Sequence, residues 1–200
     1  MKFSSFVFNG WGLSELAMRA VVDICDNYEI KNVLEFGSGQ STLLFKALNK
    51  TLTSFDDSHD YAMNDAIVRD LYQCNDTQFD AFLRGDLFWE NSFDDLTLVK
   101  TRHTRQHNCF YQIKTNDINP ATDFVLVDGP NGNGRSIAFQ LLRRHIRNEF
   151  FLFIDDYDHY PFLTHLDMAF SKYSIINLHH RPSDRWIILK IFPEPSLPSY

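Results

Sequence analysis

Nine residues, Leu34-Glu35-Phe36-Gly37-Ser38-Gly39-Gln40-Ser41-Thr42, constrain the fold more than any other stretch of this chain. An apolar run ending at Phe36 meets two closely spaced glycines, and Leu43, Leu44, Ala47 and Leu48 then recur at helical spacing. Strand, glycine turn, helix is the opening of a βαβ unit. Gly37 and Gly39 let the backbone turn sharply and let a ligand come close to it. The N-terminus of the helix that follows offers N–H groups to an anion. A dinucleotide fingerprint would place a third glycine where Thr42 stands.

The rest of the chain continues the alternation. A first helix is expected from Ser14, its N-cap, to Asn27, with Leu13, Leu16, Ala17, Ala20, Val21 and Ile24 on one face. The strand of the glycine turn covers Lys31 to Phe36. A second strand, Leu52 to Phe55, ends in Asp56-Asp57. The spacing then predicts a helix over Tyr61 to Cys74, and a shorter one capped by Asp76 and stopped by Gly85. Gly85 to Asp95 reads as loop, Leu96 to Thr101 as a third strand, and Arg102 to Pro120 as irregular apart from Cys109 to Ile113. Asp123 to Asp128 is a strand apolar on both faces, as parallel strands covered by helices are. A glycine-rich loop and a helix, Ser136 to Arg147, precede a fifth strand, Phe150 to Ile154, which runs into Asp155-Asp156. Pro161 opens another helix. Two closing strands, Tyr173 to Leu178 and Arg185 to Ile191, are close enough for an antiparallel hairpin. Without repeats or a compositional break, residues 1–200 read as one α/β domain with a helical and loop insertion at about 61–95.

Composition narrows the function. A net charge of -7 argues against a nucleic-acid partner. The longest apolar run, Phe150 to Ile154, is far too short for a membrane span, and the N-terminal residues lack a signal-peptide core. The three cysteines, Cys25, Cys74 and Cys109, show no metal-ligand spacing and suit a reducing, cytoplasmic setting.

Ligands of an open α/β sheet sit beyond the carboxyl ends of its strands, and here those ends are acidic: Asp56-Asp57, Asp128 before Gly129-Pro130, and Asp155-Asp156. An acid at the end of the second strand suits ribose hydroxyls.

Glu35-Phe36-Gly37-Ser38-Gly39 resembles the first motif of the class I S-adenosylmethionine-dependent methyltransferases. The resemblance runs from about Gly10 to Phe192 and includes the final hairpin. It implies a Rossmann-like fold: a mostly parallel seven-stranded sheet with an antiparallel last strand and helices on both faces. It also implies S-adenosylmethionine as cofactor, held by Glu35, Phe36, Gly37, Ser38, Gly39, Ser41 and Thr42. Glu35 would serve the ammonium, Asp56 or Asp57 the ribose, and Asp128, Gly129 and Pro130 the far wall. A closer likeness joins Leu126 to Arg135, Ile154 to Tyr157, Val99-Lys100-Thr101 and Asn116-Asp117 to the family of plant glucuronoxylan methyltransferases and their bacterial relatives. Asp76 to Asp95 departs from that family's pattern. The likeness implies methylation of a sugar or other small hydroxyl acceptor, within polysaccharide modification.

A hydroxyl acceptor needs a base, and Asp156, His159 and Asp128 are the candidates, the first two preferred. In catechol-type O-methyltransferases, acids at these strand ends hold magnesium. Asp128, Asp155 and Asp156 offer hard oxygen ligands for such an ion, but Asp-Asp stands where that family has Asp-Asn, and a metal is not favoured. Lys100, Arg102, His103, Arg105 and His107 would face an anionic acceptor or simply form a solvated loop. Gly10, Trp11, Gly12 and Tyr111 are candidates for the mouth of the site. The alternatives are a nicotinamide-dependent oxidoreductase, which Asp56 would also suit, and a catalytically silent S-adenosylmethionine-binding protein.

Overall fold

The computed structural model describes residues 6, 12–58, 65–100, 107–180 and 183–193. In chain order its elements are α1 (Glu15–Asn27), β1 (Asn32–Phe36), α2 (Gln40–Ala47), β2 (Thr51–Asp56), β3 (Ile67–Val68), β4 (Leu71–Gln73), α3 (Asp76–Arg84), β5 (Thr97–Leu98), β6 (Cys109–Tyr111), β7 (Phe124–Val127), α4 (Ile137–His145), β8 (Phe150–Asp155), α5 (Phe162–Ala169), β9 (Ser174–His179) and β10 (Trp186–Phe192).

Seven strands form one sheet in the order β3-β2-β1-β7-β8-β10-β9. The pairs from β3 to β8 are parallel, whereas β10 runs antiparallel to both β8 and β9. This is the Rossmann-like class I methyltransferase fold, with its antiparallel last strand. The chain leaves β1 for β2 on one side, and β7 later adds to the other side. The strand order therefore reverses between β1 and β7, where an open α/β sheet leaves a crevice for ligands.

Side-chain alternation explains why β7 is apolar throughout. Phe124 and Leu126 face one core with Val33, Phe153, Ile188 and the helices α1 and α2. Val125 and Val127 face the other with Phe36, Ile154, Ile187 and the helices α3, α4 and α5. Each large side chain so buried contributes about 1.5–3 kcal/mol.

Two helix starts follow local chemistry. The Ser14 hydroxyl accepts the Ala17 N–H at 3.1 Å and opens α1. At α3 the cap is Asn75, one residue before the expected Asp76, and it exchanges bonds with Gln78 at 2.9 and 3.0 Å. Gly85 ends that helix at φ +84°, as the sequence suggests.

Two elements differ from the sequence expectation. The helix expected over Tyr61 to Cys74 is replaced, within the described residues, by β3 and β4. Ile67 and Val68 are β-branched and find a partner in β2, through Phe55 and Asp56, so tertiary pairing overrides the helical spacing. Of the strand expected over Leu96 to Thr101, whose last residue lies outside the described ones, Thr97 and Leu98 alone among the described residues form a strand. They join β4 and β6 in a small separate sheet ordered β5-β4-β6 rather than the main sheet. The Gly85 to Asp95 loop contains two short 3-10 turns and buries Trp89 completely.

Candidate active site

The glycine turn leaves β1 at the crevice. Gly37 has φ +94°, and a Cβ there would lie 2.7 Å from the Gly129 nitrogen. A Cβ on Gly129 would lie 2.8 Å from the Gly37 Cα and 2.2 Å from the Tyr111 hydroxyl. The two glycines thus meet backbone to backbone at a seam between β1 and β7, closed by Asp128 and Gly129 N–H bonds to the Phe36 carbonyl at 2.9 and 2.7 Å. A Cβ on Gly39 would meet nothing within 4 Å, so the turn is open on that side. The peptide bond between Gly129 and Pro130 is cis.

The acids around the turn are engaged. Asp56 Oδ2 accepts the Ser38 N–H at 2.9 Å and the Ser38 hydroxyl at 2.8 Å, and Oδ1 accepts the Ser58 N–H at 2.9 Å. Asp56 therefore clasps the turn to the end of β2, with one of its four lone-pair directions left for a ligand. Asp57 follows, half-buried.

Glu35 lies wholly inside. Its Oε2 accepts the Thr42 hydroxyl at 2.6 Å and the Ser54 hydroxyl at 2.5 Å. Burial lifts its carboxyl to about 7. Hydroxyl bonds from Ser41, Ser54 and Thr42 pull the other way, and the nearby Asp128 charge adds to the rise. Thr42 also accepts the Gly39 N–H at 2.9 Å, linking acid to turn. Phe36 is buried among Phe55, Phe110 and Tyr111. Of the side chains expected around the cofactor, then, Glu35, Phe36, Ser41 and Thr42 are turned inward and support the turn from beneath. Residues 37–39 stay partly exposed at the turn.

Beyond the seam lies a cleft of about 850 Å³. Its lining includes Asp128, Arg135, Asp155, Asp156, His159 and Tyr160, together with Gly12 to Glu15 and with Ser183 to Trp186, whose last residue opens β10 beside Asp155. Asp128 and Asp155 face each other at the ends of β7 and β8. Burial raises both carboxyls; Arg135 and the contact with Asp155 pull Asp128 back while the Asp156 charge adds to its rise, and the Asp128 and Asp156 charges help carry Asp155 to about 8. Arg135 moderates the pair: it is buried, donates to the Pro130 carbonyl at 2.9 Å and the Asp155 carbonyl at 3.2 Å, and stands 3.7 Å from Asp128.

The other two candidate bases are occupied. Asp156, at φ +51°, pairs with Arg185 at 2.7 Å. The same guanidinium contacts the His159 ring. A guanidinium only donates, so the ring nitrogen there acts as acceptor and its lone pair is taken. Asp155, which the sequence places at the crevice without a base's role, is the better placed group. Its signal was position, the last residue of an apolar strand.

Gly10, Trp11, Arg102, His103 and Arg105 lie outside the described residues. Tyr111 sits in the floor rather than the mouth, 1% exposed. Among the described residues no group of three or more His, Cys, Asp or Glu is arranged to hold a metal ion, and no helix is long and apolar enough to cross a membrane.

No protein-family model and no curated protein sequence matches this chain. Solved structures do resemble it. A methyltransferase-like protein from Silicibacter pomeroyi DSS-3 is 18% identical over 94% of this chain and 91% of its own, with a TM-score of 0.48. Precorrin-6y C5,15-methyltransferase from Geobacter metallireducens GS-15 is 11% identical over 94% of both chains, with a TM-score of 0.47. A ribosomal protein L11 methylase from Lactobacillus delbrueckii subsp. bulgaricus is 15% identical over 89% of this chain and 78% of its own, with a TM-score of 0.41. Likenesses this weak leave the functional reading to strand order and site geometry.

Proposed function

We propose that this chain is an S-adenosylmethionine-dependent methyltransferase that methylates a small hydroxyl acceptor, a sugar being the leading class. One observation carries the reading. The glycine turn, with open space beside Gly39, leaves the carboxyl end of β1, and a cleft lined by ionisable side chains lies at the ends of β7 and β8 next to it. Open backbone beside an ionisable cleft suits a group transfer between two ligands.

The cofactor would lie over residues 37–39, with Asp56 toward its ribose and Asp128 toward the cleft. When bound it supplies an electrophilic methyl group on a sulfonium. The chain's own work is to place the acceptor and receive its proton. Asp155, raised to about 8, is the group of the cleft whose carboxylate forms on the alkaline side of neutrality, where it can receive the proton of an acceptor hydroxyl. The cleft walls carry Glu15, Asp128, Asp155, Asp156 and Asp184 against Arg135 and Arg185. That balance favours a neutral polyhydroxyl acceptor over an anionic one. Sugar chemistry fits the polar lining, and the glucuronoxylan-type motif of residues 126–135 is its other support.

Calorimetric titration with S-adenosylhomocysteine and with NAD tests the reading. Saturable binding of the first and not the second is expected, and uptake of NAD alone would replace the proposal with the oxidoreductase. Binding followed by no methyl transfer to any panel of sugars, polyols or phenols would favour a silent binding protein.

A further inference from the structure

Tyr111 is difficult to account for as packing alone. It comes from β6, in the small sheet outside the seven-stranded one, and is 1% exposed. Its ring lies against Phe36 and Phe110, where a phenylalanine would serve as well. Yet it carries a hydroxyl, and among the described residues nothing hydrogen-bonds to it. The oxygen is not sealed in the core: the little exposure that Tyr111 keeps lies at its hydroxyl, so the polar end of a core residue is held where something outside the core can reach it.

Position supplies one. The hydroxyl sits against Gly129, so close that even a methyl group there would collide with it. It therefore points at the seam where Gly37 and Gly129 meet. Asp56 and Asp57 approach from the end of β2, and Asp128 and Arg135 from the end of β7. The loop after β7 is shaped to β6 at its other end as well. A Cβ on Gly134 would strike the Cys109 carbonyl, and Asn133 Oδ1 accepts the Asn108 N–H at 2.8 Å. The small sheet is thus set on this loop at both ends, with the Tyr111 hydroxyl against the seam at Gly129.

We propose that Tyr111 is a cofactor-binding residue, its hydroxyl donating a hydrogen bond to an oxygen of the ligand that spans the seam. The inference rests on the methyltransferase reading. Burial and the surrounding carboxylates hold the phenol well above its ordinary range, so it stays protonated and acts as a donor. An oxygen of the ribose or of the carboxylate end would accept it.

Tyr111→Phe tests this in the calorimeter with S-adenosylhomocysteine, beside the wild type and with thermal melts of both. Losing one neutral hydrogen bond is expected to weaken binding about tenfold. The melting temperature without ligand should hold, because phenylalanine keeps the ring contacts with Phe36 and Phe110. Wild-type affinity in Tyr111→Phe overturns the inference and leaves the methyltransferase reading standing. Failure of the wild type itself to bind removes both. If Tyr111→Phe proves unstable, tyrosine-labelled wild type decides by NMR. The Tyr111 ring-carbon signal should shift on saturation, and a signal that stays put refutes the contact.

Discussion

Replacing Glu35 by glutamine should abolish a specific pH dependence of stability. The carboxyl is fully buried, and burial raises it from 4.5 to about 7 in the folded chain. A carboxyl raised on folding contributes stability that is complete below its unfolded value and is lost as pH climbs through its folded one. The wild type should therefore weaken across the window from about 4.5 to about 7. At about 1.36 kcal/mol per pKa unit the whole loss is about 3 kcal/mol, of which roughly 2.5 falls between pH 5 and pH 8. Glutamine keeps a carbonyl to accept the Thr42 and Ser54 hydroxyls and has no ionisation to oppose. Asp128 and Asp155 titrate nearby, but they are present in both proteins and cancel in the difference. For a chain of this size roughly 2.5 kcal/mol is about 5–10 °C in melting temperature. Thermal melts of wild type and Glu35→Gln at pH 5 and pH 8 measure it. The variant's advantage should be larger at pH 8 by that amount. An equal difference at both pH values would mean that Glu35 is solvated or ionised within the fold, and the inward placement of the motif acid would fall.

Two further outcomes are expected. Asp155→Asn should lower turnover by about 10²–10⁴ while leaving S-adenosylhomocysteine affinity unchanged, and the wild-type rate should rise as pH passes about 8; initial rates across pH, with the acceptor found by screening, test both. Gly129→Ala should destabilise by about 1–3 kcal/mol in chemical denaturation, and the loss should shrink in the double variant with Tyr111→Phe, where one of the two obstructions is gone; Gly134→Ala, which meets the Cys109 backbone, should show no such rescue.

Much of the main sheet was legible because its parallel strands are buried on both faces and end in turn chemistry. The runs ending at Phe36, Asp56, Asp128 and Asp155 could hardly be read otherwise. β3 was not legible. Two residues carry no period, and Ile67 and Val68 become a strand only because β2 lies beside them. The small sheet failed for the same reason, since β5 and β6 are three residues long or less and draw their identity from β4. At the site, acid positions could be read but their environments could not. Sequence places Asp156 and His159 at the crevice as readily as Asp155. Only the fold brings Arg185, far along the chain, onto the first two and leaves the third facing Asp128. The loop of residues 129–135 is instructive in another way. The sequence marks it only as glycine-rich, and the fold gives the reason: Gly129 and Gly134 make room for Tyr111 and Cys109 of the protein itself.

That mutual fit has a bearing on redesign. Contacts made through missing side chains tolerate no drift: every atom added at positions 37, 129 or 134 forces apart two backbones or a backbone and a phenol. The seam is a fixed datum from which the rest of the site is measured. Altering what the cleft takes is then a matter for lining positions off the seam, such as Ser14, Glu15 and Ser183. Substitutions there leave the backbone contacts of positions 37, 129 and 134 untouched, whereas each one on the seam costs part of the fold's stability.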